Sequence, residues 1–90
     1  MYEIKFTTKL KKDLKRLQRQ GKDMDKFFQI VEKLSKGHPL AERNRDHALV
    51  GNYIGCRECH IEPDWLLIYE VIHQTLVLVL TRTGSHSDLF

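Results

Sequence analysis

No apolar run in this 90-residue sequence approaches the ~20 residues that a helix needs to cross a bilayer. The opening stretch, MYEIKFTTKLKK, lacks the apolar segment of an export signal. There is no low-complexity tract and no internal repeat. Ninety residues can enclose one modest core but not two. The expectation is a single domain over residues 1–90, cytoplasmic and without a membrane partner.

Cysteine is scarce as well, with only Cys56 and Cys59. They sit in Cys56-Arg57-Glu58-Cys59-His60, which matches the C-x-x-C-H pattern of haem attachment. That reading fails on two grounds. Haem attachment needs an exported protein. The flanking residues also read as a strand, where positions three apart face opposite sides. Both thiols then cannot reach one macrocycle, one zinc ion or each other. Two reduced, packed side chains are expected, with no metal and no cofactor.

Excess charge is modest, at +3, but unevenly spread. Residues 1–22 carry eight Lys/Arg against Glu3 and Asp13, a balance of +6, so the remainder sums to −3. A basic end on a small protein points toward a polyanion, most often nucleic acid. Lys9, Lys12, Arg16 and Arg19 are the candidate phosphate contacts. A merely solvated helix face is the competing reading, and charge alone does not separate the two.

What is present follows a simple order. Tyr2 to Phe6 alternates apolar and polar, as a half-buried strand does. Thr7 or Thr8 can cap a helix in which Leu10, Leu14 and Leu17 form a narrow apolar stripe, and Gly21 can end it. Asp23 can cap a second helix with Met24, Phe27, Val31 and Leu34 on one side, closed by Gly37 and Pro39. Residues 40–51 have no period and read as a loop. Asn52 to Ile61 reads as a strand, Glu62-Pro63-Asp64 as a tight turn, and Trp65 to Tyr69 as a central strand apolar on both faces. Leu76 to Leu80 gives a further strand, and residues 84–90 a polar tail. The order βααβββ describes an α+β domain with a helical hairpin packed on a mostly antiparallel sheet.

Histidine carries the chemistry. His47, His60 and His86 each fall at a strand end or loop beside charged neighbours, so they can converge at one end of the sheet. Imidazole is the side chain best suited to exchange protons at neutral pH. Arg82 can hold a phosphate and Asp64 lies in the turn between strands. Such a set suffices for cleavage of RNA without a metal. Trp65 and Phe90 have core packing as the plain reading and base stacking as the functional one, which is worth ~1–3 kcal/mol per base. His38 and His73 are assigned no role.

Three blocks carry a resemblance: Asp46-His47-Ala48-Leu49-x-Gly51, then Arg57-x-x-His60-Ile61-x-Pro63-Asp64-Trp65-x-Leu67-Ile68-Tyr69, then Arg82-x-Gly84-Ser85-His86-Ser87-Asp88-Leu89-Phe90. With the helical hairpin before them, they closely resemble the YafQ branch of the RelE/ParE toxin superfamily. The resemblance implies a microbial-ribonuclease-like RelE fold. It further implies a type II toxin that enters the ribosomal A site and cuts the mRNA there. His47, His60, Asp64, Arg82 and His86 would be the catalytic set, with Phe90 at the substrate. The implied partners are a cognate antitoxin protein, the ribosome with bound mRNA and, together with the antitoxin, operator DNA. The ParE branch keeps the fold but poisons DNA gyrase and lacks the catalytic set. A non-catalytic RNA-binding module would explain the basic helix but not the three histidines.

Overall fold

The alternating N-terminus forms strand β1 (Glu3–Phe6) in a computed structural model that describes residues 1–90. Helix α1 (Thr8–Arg19) begins where the Thr7 hydroxyl accepts from the Leu10 amide at 3.0 Å. Gly21 ends it at φ +82°, a left-handed position that costs glycine little. Asp23 caps α2 (Met24–Ser35) by accepting from the Asp25 amide at 3.0 Å. These local signals act as the sequence predicts, because a cap depends on neighbours only a few residues away.

Four further strands and a short helix follow: β2 (His47–Ala48), β3 (Arg57–Glu62), β4 (Trp65–Ile72), β5 (Val77–Gly84) and α3 (His86–Leu89). The sheet order is β1-β5-β4-β3-β2, with β1 parallel to β5 and the other pairs antiparallel. The protein is therefore α+β, and β4 is its central strand.

The structure revises three boundaries. The strand expected from Asn52 starts at Arg57 instead, since residues 51–53 form a 3₁₀ turn and Gly51 and Gly55 have φ of +70° and +91°. Within the loop expected over 40–51, His47 and Ala48 pair with Glu58 and Arg57 and extend the sheet by one short strand. The polar tail is a helical turn. The Ser85 hydroxyl accepts from the Asp88 amide and the Asp88 carboxylate from the Ser85 amide, a reciprocal capping box.

Alternation along β4 divides the core in two. Trp65, Leu67 and Tyr69 face α1 and α2, packing with Leu10, Leu17, Phe27, Val31 and Cys59. Leu66 and Ile68 face the other way, under Leu89, with Leu49, Tyr53 and Cys56 around them. Both faces of the strand are covered, which is why its sequence shows no polar alternation. No helix is long and apolar enough to cross a membrane.

Cys56 and Cys59 thus belong to opposite sides of the sheet, and both are free thiols. Burial pushes the Cys59 thiol up to about 12. The thiolate is the reactive species. Cys59 is therefore expected to resist iodoacetamide at pH 8 in the folded protein and to react once urea unfolds it. Mass-spectrometric counting of adducts before and after unfolding checks this; rapid native alkylation of Cys59 would contradict the packing.

Candidate active site

The Pro63–Asp64 turn between β3 and β4 is the point on which the polar chemistry gathers. His60 lies at the end of β3, and its Nδ1–H donates to the Pro63 carbonyl at 3.1 Å. Asp64 accepts from the backbone amide of His86 through Oδ1 at 3.0 Å. One turn therefore holds a histidine from β3 and the start of α3. Gly84, at φ +156°, lets the chain swing out of β5 toward Asp64.

His47 joins from β2, where it stands opposite Glu58. Its Nδ1–H donates to the Arg45 carbonyl at 2.6 Å, so Nε2 is the nitrogen left for proton exchange. The Glu58 Oε1 is 3.6 Å from Nε2 of His47 and 3.6 Å from Nε2 of His60. Asp46 fixes the same segment, accepting from the Tyr69 hydroxyl and from Arg57 Nε at 3.2 Å. Burial and the Asp46 carboxylate together push the Tyr69 phenol far up, so it stays a donor.

Arg82 is anchored rather than free. Asp13, on α1 and only 2 % exposed, accepts from Arg82 Nε at 2.7 Å and Nη2 at 3.2 Å. It also takes the Thr83 amide at 3.1 Å. The pairing of β1 with β5 ends at Phe6–Leu80, so this amide lies beyond the last ladder partner and the carboxylate replaces it. The hydrogen bond to Asp13 holds the Arg82 guanidinium above its ordinary value. Nη1 makes no contact with Asp13, and Tyr53 is a further hydrogen-bonding neighbour of the guanidinium.

The remaining predicted residues divide. Phe90 is 56 % exposed, its ring 4.9 Å from the His86 ring and 5.7 Å from that of Tyr53. Lys9, Lys12 and Arg19 lie exposed on α1. Two assignments need correction. Trp65 is fully buried, with its indole N–H donating to the Thr83 hydroxyl at 3.0 Å, so it offers no face to a base. Arg16 is committed inward, to Asp13 at 3.0 Å, the Thr83 carbonyl at 3.3 Å and Asp88 at 3.6 Å. Beside the histidines, Arg43, Arg45, His60 and Pro63 line a cleft of about 300 Å³.

A sequence profile described as the bacterial toxin of type II toxin-antitoxin systems, YafQ, matches residues 2–90. The chain belongs to the YafQ toxin family. The mRNA interferase toxin YafQ of Escherichia coli K12 is 37 % identical over 89 residues, covering 98 % of this chain and 95 % of that protein. A metal-bound toxin from Helicobacter pylori superposes with a TM-score of 0.94 at 42 % identity, with all of both chains covered. YafQ in the E. coli DinJ–YafQ complex gives 0.89 at 35 % identity, covering 100 % of this chain and 99 % of that one. In the present YafQ-family chain no group of three or more His, Cys, Asp or Glu side chains is placed to hold a metal ion.

Sequence reading of this YafQ-family chain missed Glu58, Asp13 and Tyr53. Glu58 is two residues from His60 and so on the same face of the strand, a relation the sequence does display. Its burial beside a second histidine depends on β2, whose two residues carry no periodic signal. Asp13 looked like one charge in a basic helix. Nothing local marks it as the partner of a residue 69 positions away.

Proposed function

We propose that this chain is an mRNA interferase, a cytoplasmic endoribonuclease that cuts messenger RNA on the ribosome by acid–base catalysis without a metal. The single observation that supports this best is the gathering of three histidines and an anchored arginine around one turn and one sheet face. His47 Nε2 takes the proton of the 2′-hydroxyl as that oxygen bonds to phosphorus. His86 gives a proton to the 5′-oxygen as the P–O5′ bond breaks. Arg82 faces the phosphate and offsets the charge that gathers on its oxygens. His60 and Asp64 support the pair, the first at Glu58 and the second through the His86 amide. Phe90, stacked near His86, offers an exposed ring to an unpaired base.

The partners proposed are a cognate antitoxin, as the E. coli family member has in DinJ, the ribosome with its message and, with the antitoxin, operator DNA. Primer extension on a translated message, with and without the protein, tests the reading. Discrete cuts at one phase of the reading frame support it. An uncut message, with ribosomes or gyrase otherwise affected, would favour the binding-only or gyrase-directed alternatives.

Lys9, Lys12 and Arg19 are proposed to contact ribosomal phosphates. Replacing the three by Gln is expected to weaken ribosome binding and reduce its log–log salt slope by roughly one for each phosphate no longer neutralised. The cut positions stay the same, since phosphate contacts position without reading bases. Ribosome pelleting over a salt series checks this, and unchanged affinity would return the face to simple solvation. Arg16 is left out because its guanidinium serves the Asp13 network.

A further inference from the structure

Arg43 and Arg45 have no part in the mechanism above, yet both lie beside it. The arginine side chains that pair or hydrogen-bond within the fold are those of Arg16, Arg19, Arg57 and Arg82. Arg43 and Arg45 are exposed, and neither guanidinium has a partner. Asp46, the acid next to Arg45, is already engaged by Arg57 and Tyr69. The backbone that carries the two arginines is fixed. Asn44, 5 % exposed, donates its side-chain amide to the His60 carbonyl at 2.7 Å and pins the 3₁₀ turn Glu42–Asn44 to β3. With Asn44 turned inward, Arg43 and Arg45 line the cleft of about 300 Å³ together with His60 and Pro63. Arg45 closes the turn at φ 47° and ψ 45°, left-handed values that glycine or asparagine would take at less cost. In that conformation its carbonyl accepts the His47 Nδ1–H at 2.6 Å. One residue thus orients the proposed base through its backbone and presents a free cation through its side chain. A second hollow, of about 260 Å³, shares Arg43 and adds Lys33, a third cation without an ion pair.

We infer that Arg43 and Arg45 form a phosphate subsite for the message, holding the phosphodiester on the 5′ side of the nucleotide whose 2′-hydroxyl attacks. This rests on the proposed roles of His47 and His86, which set the polarity of the strand. The attacking nucleotide lies at His47, two residues from Arg45. The leaving nucleotide lies at His86 and Phe90, on the other side of the Asp64 turn. The cleft opens on the His60 side, so the RNA that enters it runs upstream of the cut. Arginine presents a planar fork of donors that suits phosphate oxygens, and it stays charged at every working pH. Two such groups on a pinned turn need little reordering to meet a phosphate. A phosphate contact fixes register and reads no base. The subsite therefore aligns the scissile linkage with the histidines and leaves base preference unchanged.

The test uses single-turnover cleavage on ribosomes programmed with short synthetic messages. In one message the linkage 5′ of the cut nucleotide is a methylphosphonate, which keeps the shape and removes the charge. In a control message the neutral linkage lies further upstream. For the native chain, the neutral linkage beside the cut is expected to raise the half-saturating protein concentration roughly 3–10-fold, and the distant one to leave it unchanged. A double variant, Arg43→Gln with Arg45→Gln, should show a similar rise on the all-phosphate message. It should lose nothing further with the neutral linkage, since the contact is already gone. Its melting temperature should match that of the parent, because neither side chain has a partner in the fold. Lysine at both positions restores the charge and should recover part of the affinity. Additive losses from the variant and the neutral linkage would place the arginines on ribosomal RNA, and unchanged cleavage by the variant would leave them simply solvated. Either result overturns the inference, as does a response confined to the linkage 3′ of the cut. An all-phosphate message left intact by the native chain would instead remove the cleavage reading on which the inference rests, a distinguishable failure.

Discussion

Replacing His86 by alanine is expected to lower mRNA cleavage by about 10²–10⁴-fold, the usual contribution of a positioned acid or base. The fold has little stake in this side chain. His86 is exposed at the first position of α3, and its ring nitrogens have no protein partner, unlike those of His47 and His60. What ties the residue down is its backbone amide on Asp64, which alanine keeps. The melting temperature and antitoxin binding should therefore be unchanged, and the variant expressed without antitoxin should no longer arrest growth. Single-turnover cleavage beside thermal melting separates the two effects. A variant that cleaves at the native rate would remove His86 from the chemistry. A variant that melts well below the parent would show that the Phe90 ring and its neighbours depend on the imidazole for packing.

The second large effect concerns stability. Asp13→Ala is expected to cost about 3–5 kcal/mol, as loss of one partner from a buried ion pair does. Asp13 accepts four hydrogen bonds, from Arg16 Nη1, Arg82 Nε, Arg82 Nη2 and the Thr83 amide. Its removal leaves Arg82 without its carboxylate partner, Arg16 with only the Asp88 carboxylate at 3.6 Å, and a buried amide with no acceptor. At roughly 4–8 °C per kcal/mol for a domain of this size, the melting temperature should fall by more than about 12 °C. Asp13→Asn keeps an acceptor for the amide but not the charge, and should fall between. Urea unfolding of the three proteins checks the order. A loss below about 1 kcal/mol for the alanine variant would show that solvent replaces the carboxylate and that α1 is not fastened to β5 through it.

That fastening also explains where sequence reasoning stopped. Thr7, Gly21, Asp23 and Gly37 mark the helical hairpin because caps are local, and the apolar run Trp65–Tyr69 marks the central strand because both its faces are covered. The parallel pairing of β1 with β5 joins residues more than seventy positions apart and leaves no local trace. Residues 40–51 are legible only as irregular chain, since β2 is too short for a period, and the strand read from Asn52 begins only at Arg57. In two places a signal was present. Ser85-x-x-Asp88 is a capping-box spacing, and Gly51 and Gly55 stand where a strand could not yet have begun. Trp65 and Arg16 were misplaced for a different reason. Residue type shows what a side chain can contact, while burial and partners decide what it does contact. The histidines were the part of the site most readable in sequence, since each lies next to a turn or strand end. Glu58 between two of them required the register of β2 on β3.

Transfer of a 2′-hydroxyl proton to one imidazole, with donation of another proton to the leaving 5′-oxygen, leaves its mark on the chemical ends of the cut message. Polynucleotide kinase labels a 5′-hydroxyl without prior phosphatase, and a 5′-phosphate only after it. With a 2′-hydroxyl attack, the downstream fragment labels without phosphatase and the upstream fragment ends in a 2′,3′-cyclic phosphate or its 3′-phosphate product. A downstream fragment that labels only after phosphatase, paired with an upstream 3′-hydroxyl, would mean that water attacked the phosphorus and would contradict the histidine mechanism.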